Sequence, residues 1–102
     1  MRENVLNTGY TETNALRDVL SERVRQDEKW GEQNHHPFIW TSILLEEFGE
    51  FAQEVHEGHF QGFTSDKFDA MRMEAVQVAA VALSVVESID RNQHELKLDK
   101  AQ

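Results

Sequence analysis

Apolar residues along this chain recur at three- and four-residue spacing in three stretches, and they do not alternate with period two over any useful length. That pattern predicts helices and no strands. In the first stretch Leu16, Val19, Leu20 and Val24 fall on one face, with Thr11 or Thr13 as the cap and an end near Glu28. The run Trp30-Gly31-Glu32-Gln33-Asn34-His35-His36 is polar and aromatic without periodicity and reads as a loop. Pro37 suits the first turn of a second helix, where its missing N–H is not needed. Ile39, Ile43, Leu44, Phe48, Phe51 and Val55 form the apolar side of that helix, and Gly58 marks its expected end. Gly58 to Ser65 is a connection, with Ser65 as the cap of a third helix over about Asp66 to Arg91. The chain therefore divides into an irregular arm over 1–10, one helical domain over 11–91 and a polar, solvated tail over 92–102.

The third helix bears on assembly. From Ala75 to Val86 only Gln77 and Ser84 are polar, so apolar side chains point in every direction around the axis. A helix that is hydrophobic all round has to be covered all round. Two other helices cannot easily surround it, and a second copy of the chain can close the remaining side. The expectation is an all-α fold, a four-helix-type bundle completed by homo-oligomerisation, as a dimer or a tetramer.

At 102 residues the chain is one domain's worth, with little core to spare. Its formal charge of -9 speaks against direct binding of nucleic acid, which uses clustered Lys and Arg. An anionic substrate would need a cation as intermediary. The absence of cysteine excludes disulfides and thiolate metal sites. The first residues contain no apolar signal core and no apolar run is long enough for a bilayer, so a soluble, cytoplasmic protein without membrane contact is expected.

Acids are placed where that intermediary would sit. Glu46-Glu47-Phe48-Gly49-Glu50 lies in the second helix and Glu74-Ala75-Val76-Gln77 in the third. Residues three apart share a helical face, so Glu47 with Glu50, and Glu74 with Gln77, can each converge on one point. Several carboxylates brought together repel one another unless protonated or bound to a cation. Oxygen ligands without imidazole favour magnesium, with manganese as the alternative, over zinc or iron. His56 and His59 stand three apart, but Gly58 between them suggests an exposed helix end rather than a zinc site. Buried in its apolar stretch, Gln77 needs a partner, either a neighbouring helix or the same site as Glu74.

Glu46-Glu47-x-x-Glu50, followed after 23 residues by Glu74-x-x-Gln77, resembles the Glu-Glu-x-x-Glu … Glu-x-x-Asp signature of the all-α nucleoside triphosphate pyrophosphohydrolases. That superfamily includes the MazG proteins, the dimeric dUTPases, the dCTP pyrophosphatases and phosphoribosyl-ATP pyrophosphohydrolase. Lys29-Trp30-Gly31-Glu32-Gln33-Asn34-His35-His36-Pro37 is also similar to the stretch preceding the metal helix in MazG-like members. The resemblance runs from about Arg23 to Ile89, and is greatest to small, single-domain MazG-like proteins.

The resemblance implies magnesium-dependent cleavage of a nucleoside triphosphate to the monophosphate and pyrophosphate. Glu47, Glu50 and Glu74 match the family's metal-binding acids, and Gln77 stands where an aspartate is expected. Glu46 matches the first glutamate of the signature, for which a role in orienting or activating water is inferred, so the catalytic set is Glu46, Glu47 and Glu50. The nucleotide would meet Lys29, Trp30, Gln33, Asn34 and His35: Lys29 at a phosphate, Trp30 stacked on a base or else anchoring the loop, and the others at the base edge. Glutamine at 77 can ligate through oxygen but brings no charge and cannot act as a base. Two other readings remain open: a non-catalytic nucleotide- or metal-binding sensor on the same scaffold, and an acidic interaction protein that occupies a basic partner.

Overall fold

The computed structural model describes the backbone over 10–101 and the side chains over 14–95. Helix α1 is Tyr10–Trp30, α2 is Pro37–Gln61 and α3 is Ser65–Ala101, with no strand among the described residues. The all-α expectation holds. The arm expected over 1–10 lies almost wholly outside the described residues.

Helix ends are set by specific residues. Gly31 closes α1 with φ +75, its N–H donating to the Asp27 carbonyl at 2.8 Å, the left-handed cap for which glycine is preferred. His36 caps α2, its Nδ1 accepting from the Phe38 N–H at 3.1 Å, and Pro37 fills the first turn as expected. That helix does not stop at Gly58. It runs three residues further, to Gln61, and Gly62 (φ +114) ends it with an N–H donated to the Gly58 carbonyl at 2.8 Å. Gly58 is buried because the Phe63 ring lies against it, and a methyl group there would collide with that ring. It is a close-approach glycine rather than a terminus.

Two further boundaries differ from the sequence reading. Thr64, not Ser65, caps α3, its Oγ1 accepting from the Lys67 N–H at 3.2 Å. Helix α3 also continues past Arg91 to Ala101, so ten residues assigned to a solvated tail are helical. Asn92, Gln93, His94 and Glu95, the first of them, are polar, and polar residues do not prevent a packed helix from continuing.

Helix α3 is the spine. Both α1 and α2 pack on it, while α1 and α2 have no close backbone approach to each other among the described residues. Trp40 is the anchor of α2, 2 % exposed, with its Nε1 donating to Ser88 Oγ at 3.2 Å. Ala80 and Val81 are the other buried apolar residues among those described. On α1, Arg23 is buried and reaches Asp27 on its own helix (2.5 Å) and Glu87 on α3, while Arg72 of α3 meets Asp18 at 2.8 Å. The connection between α2 and α3 is held by Lys67, which bonds Glu54 at 2.7 Å and Glu57 at 2.9 Å, and by stacked Phe63 and Phe68 rings 5.5 Å apart.

The face of α1 turned to α3 is rotated from the expected one. Leu16 and Val19 are half-buried, but Leu20 and Val24 are exposed, and Arg23 and Gln26 take the inner positions. The reason is the Arg23–Glu87 pair, which sets the roll of α1. On α2, Ile43, Leu44, Phe51 and Val55 are half-buried while Ile39 and Phe48 stay exposed. Trp40→Ala is expected to cost about 3–5 kcal/mol, read as a lowered urea midpoint, because it removes the largest buried side chain joining α2 to α3.

Candidate metal centre

Glu47 and Glu50 project from one face of α2, and Glu74 projects from α3 toward them. One carboxylate oxygen from each lies within 4.8 Å of the others. The i, i+3 spacing on α2 and the packing of α2 on α3 produce this convergence together. Glu47 and Glu74 are half-buried and Glu50 is exposed, so the cluster lies at the edge of the helix pair and opens to solvent.

The electrostatics of the cluster are unfavourable as it stands. Oε2 of Glu47 and Oε2 of Glu74 are buried without any hydrogen-bond partner. Desolvation, followed by the charges of Glu50, Glu46 and Glu22, pushes the Glu47 carboxyl above the usual carboxylate range. Glu74 is raised as well, first by desolvation, then by the charge of Glu50 and a hydrogen bond with it, and by Glu47 and Glu54. Two orphaned buried oxygens beside a third carboxylate are what a bound cation would satisfy.

The donor set fits a hard divalent ion. All three side chains offer carboxylate oxygen and none offers sulfur or nitrogen. In octahedral magnesium, oxygens at about 2.1 Å from the metal stand at most about 4.2 Å apart. Adjacent ligands stand about 3.0 Å apart, so the three oxygens, within 4.8 Å of one another, would draw closer on binding. Manganese fits the same set.

Next to the cluster is a cavity of about 390 Å³. Lys29, Trp30 and Gln33, three of the five residues expected to meet a nucleotide, line it, and so do Glu47 and Gln77 from the expected metal set. Gln77 is half-buried and faces this cavity, outside the triad of carboxylates. Lys29 Nζ sits 4.8 Å from the centre of the Trp30 ring, in cation–π contact, and Trp30 is 62 % exposed. Trp30 therefore does not anchor the loop. Trp40 does that, standing edge-on to His35 with ring centres 4.8 Å apart.

Asn34 and His35 stand apart from the cavity. Asn34 Oδ1 accepts from Arg91 Nε at 2.9 Å and from Asn92 Nδ2 at 2.8 Å, clamping the loop to α3. Arg91 Nη2 adds a bond to the Gln33 carbonyl at 3.0 Å, and His35 Nε2 pairs with Gln33 Oε1 at 3.0 Å. These contacts hold Gln33 and the end of α1 in place. Glu46 is exposed and belongs to neither the triad nor the cavity lining, though its charge is felt at Glu47.

The cavity also includes residues the sequence reading did not single out, notably Glu22, Arg25 and Gln26 of α1. With Lys29 they follow the spacing i, i+3, i+4, i+7, a continuous stripe on one helical face. That stripe is the signal by which they could have been found. Compared with protein-family models, curated proteins and solved structures, the chain matches none.

Both acids are raised in the folded state, so in metal-free protein they oppose folding increasingly as pH climbs from the ordinary carboxylate range through the raised values, and acidification relieves the penalty. Glu47→Gln is accordingly expected to raise the metal-free Tm at neutral pH by about 2 °C, and to abolish the further rise that magnesium or manganese gives the unaltered chain. A thermal melt with and without metal checks both.

Proposed function

We propose that the chain is a magnesium-dependent nucleotide pyrophosphohydrolase of the MazG-like kind, cleaving a nucleoside triphosphate to the monophosphate and pyrophosphate. The observation that carries this reading is the juxtaposition of Glu47, Glu50 and Glu74 with a cavity lined by Lys29, Trp30 and Gln33. The inward-turned, unpartnered oxygens of Glu47 and Glu74 favour it over an acidic decoy, whose charges would face bulk water.

In this reading Lys29 leaves the Trp30 face to meet a phosphate, and the exposed indole receives the base. Gln33, held by His35 and by the loop clamp, presents its amide to the base edge. Glu47, Glu50 and Glu74 bind the cation, and Gln77 adds a neutral oxygen donor from the cavity side. A bound magnesium supplies charge neutralisation at phosphate oxygens and a lowered pKa for an attacking water. Water adds at the α-phosphorus, the α–β bridging oxygen leaves with pyrophosphate, and a carboxylate of the cluster takes the proton. Glu46 acts through its charge on Glu47.

Homo-oligomerisation belongs to the same proposal. Among the described residues of a lone chain three apolar side chains are buried, and its radius of gyration is 16.5 Å, against about 13 Å for a compact domain of this length. A groove of about 480 Å³ between α1 and α3, lined by Leu16, Val19, Leu83 and Val86 among others, is almost wholly apolar. A second copy of the chain covers it in this reading, since among the described residues the apolar stretch of α3 has no element beyond α1 and α2 to face.

Light scattering is expected to give a mass of at least twice the 11.8 kDa chain; a stable monomer at micromolar concentration would remove the assembly. In a pyrophosphate-release assay over a nucleotide panel, Glu50→Gln is expected to lower turnover by about a hundredfold or more with the oligomer intact. Full activity in that variant would remove the metal assignment, and nucleotide binding without pyrophosphate release in the unaltered chain would favour a sensor. Gln77→Asp is expected to tighten magnesium dependence by adding charge at the cavity edge.

A further inference from the structure

A second cavity, of about 640 Å³, lies further along α1 and α3, with Arg72, Asp69 and Met73 in its wall. It shares three residues with the cavity beside the acid cluster: Glu22, Arg25 and Gln77. These three form the partition between the two chambers. Gln77 is uncharged, so the charge at the partition comes from the other two, and they neutralise each other. Arg25 donates from Nε to Glu22 Oε1 at 2.8 Å and from Nη2 to Glu22 Oε2 at 2.7 Å.

The two partners are unequally placed. The Glu22 side chain is 13 % exposed and faces the chamber that Glu47 and Gln77 line, whereas the Arg25 side chain is 54 % exposed. An ion pair with one partner in solvent contributes little to stability, so the exposed Arg25 can be drawn away by a better partner. The planar guanidinium fork of Arg25 matches two oxygens of a phosphate as well as two oxygens of a carboxylate. Glu22, deprived of Arg25, would be left as a largely covered carboxylate in the cavity that Glu47 also lines, with a hydrogen bond from Gln26 Nε2 at 3.2 Å and the charge of Lys29 as its remaining support. Its charge already bears on the Glu47 carboxyl while Arg25 holds it.

We infer that the Glu22–Arg25 pair is an exchangeable partition: a phosphate chain entering the cavity takes Arg25, and the released Glu22 joins Glu47 as a further carboxylate for the divalent cation. The inference rests on the pyrophosphohydrolase reading for its ligand and deepens it, because it makes cation binding and phosphate binding support one another. Arg25 is the phosphate receptor, and Glu22 brings from α1 a negative charge that Gln77 does not bring from α3. The centre then draws on all three helices once ligand is present, and on α2 and α3 alone before.

Arg25→Gln frees Glu22 without any phosphate. In calorimetric titration with manganese alone, that variant is expected to bind about fivefold more tightly than the unaltered chain. Glu22→Gln combined with Arg25→Gln is expected to lose this gain. Lys29→Gln, which makes the same charge change in the same cavity while leaving the pair intact, is expected not to show it. With the preformed manganese complex of inorganic tripolyphosphate, Arg25→Gln is expected to bind about tenfold more weakly than the unaltered chain. Unchanged manganese affinity in Arg25→Gln, an equal gain in Lys29→Gln, or a gain that survives in the double variant would each overturn the exchange. Glu47→Gln separates the two levels: if it leaves manganese binding intact, the metal centre itself fails, whereas if it abolishes binding and Arg25→Gln changes nothing, only the exchange does.

Discussion

Three carboxylates drawn into one small volume are the constraint from which the rest of this structure follows. Like charges at that separation repel, and two of the oxygens involved are buried without a protein donor. Such an arrangement persists only if the surrounding contacts outweigh it or a cation removes it. The contacts that hold it are at the two ends of α2. At one end Trp40 is buried against α3 and bonded to Ser88; at the other, Lys67 binds Glu54 and Glu57 while Phe63 packs under Gly58. Rolling the acids outward would require breaking the contacts at both of those pins.

The loop between α1 and α2 extends the same logic to the cavity. Its polar residues are spent mostly on one another and on Arg91 and Asn92, so the loop is a fixed bracket rather than a floating contact surface. What it fixes is the end of α1, where Lys29 and Trp30 meet the chamber beside Glu47. A triphosphate and its counter-ion need their binding groups positioned before they arrive. The exposed cations that line the chamber, Lys29 over the indole and Arg25 on Glu22, are the ones suited to changing partners when an anion enters.

Much of this arrangement is legible in the sequence, for reasons that can be assigned residue by residue. Helix periodicity, Pro37 and the glycines indicate three helices in order, and i, i+3 spacing alone puts Glu47 and Glu50 on one face. The boundaries fail where a tertiary contact overrides a local signal. Gly58 looks like a stop because glycine is a poor helix former, yet it is there for the Phe63 ring. Leu20 and Val24 look buried because they are apolar, but the roll of α1 is set by the buried Arg23, whose partner Glu87 is distant in sequence. Asn34 and His35 have the right chemistry for a base edge, and no local rule distinguishes that from clamping a loop. The stripe from Glu22 to Lys29 is visible but resembles an ordinary solvated face, since only the position of α3 shows that it borders a cavity.

The sparse core and the site are aspects of one design problem. A three-helix chain of this length that buried its apolar residues fully within itself would close α1 over α2, and the space between them would fill with side chains. Here α1 and α2 are kept apart on α3, which leaves the chamber between the acids and the indole but exposes Leu20, Val24, Phe38 and Val86. The exposed apolar surface is thus the counterpart of the cavity. Each apolar side chain left half in water forgoes roughly 1 kcal/mol or more, so an arrangement of this kind is stable only if something else covers the outer faces. Covering them with another copy of the chain leaves the chamber open, whereas covering them by collapse of α1 onto α2 would remove it. In the proposed assembly, several short chains would together cover the apolar faces and leave the polar, charged cavity open.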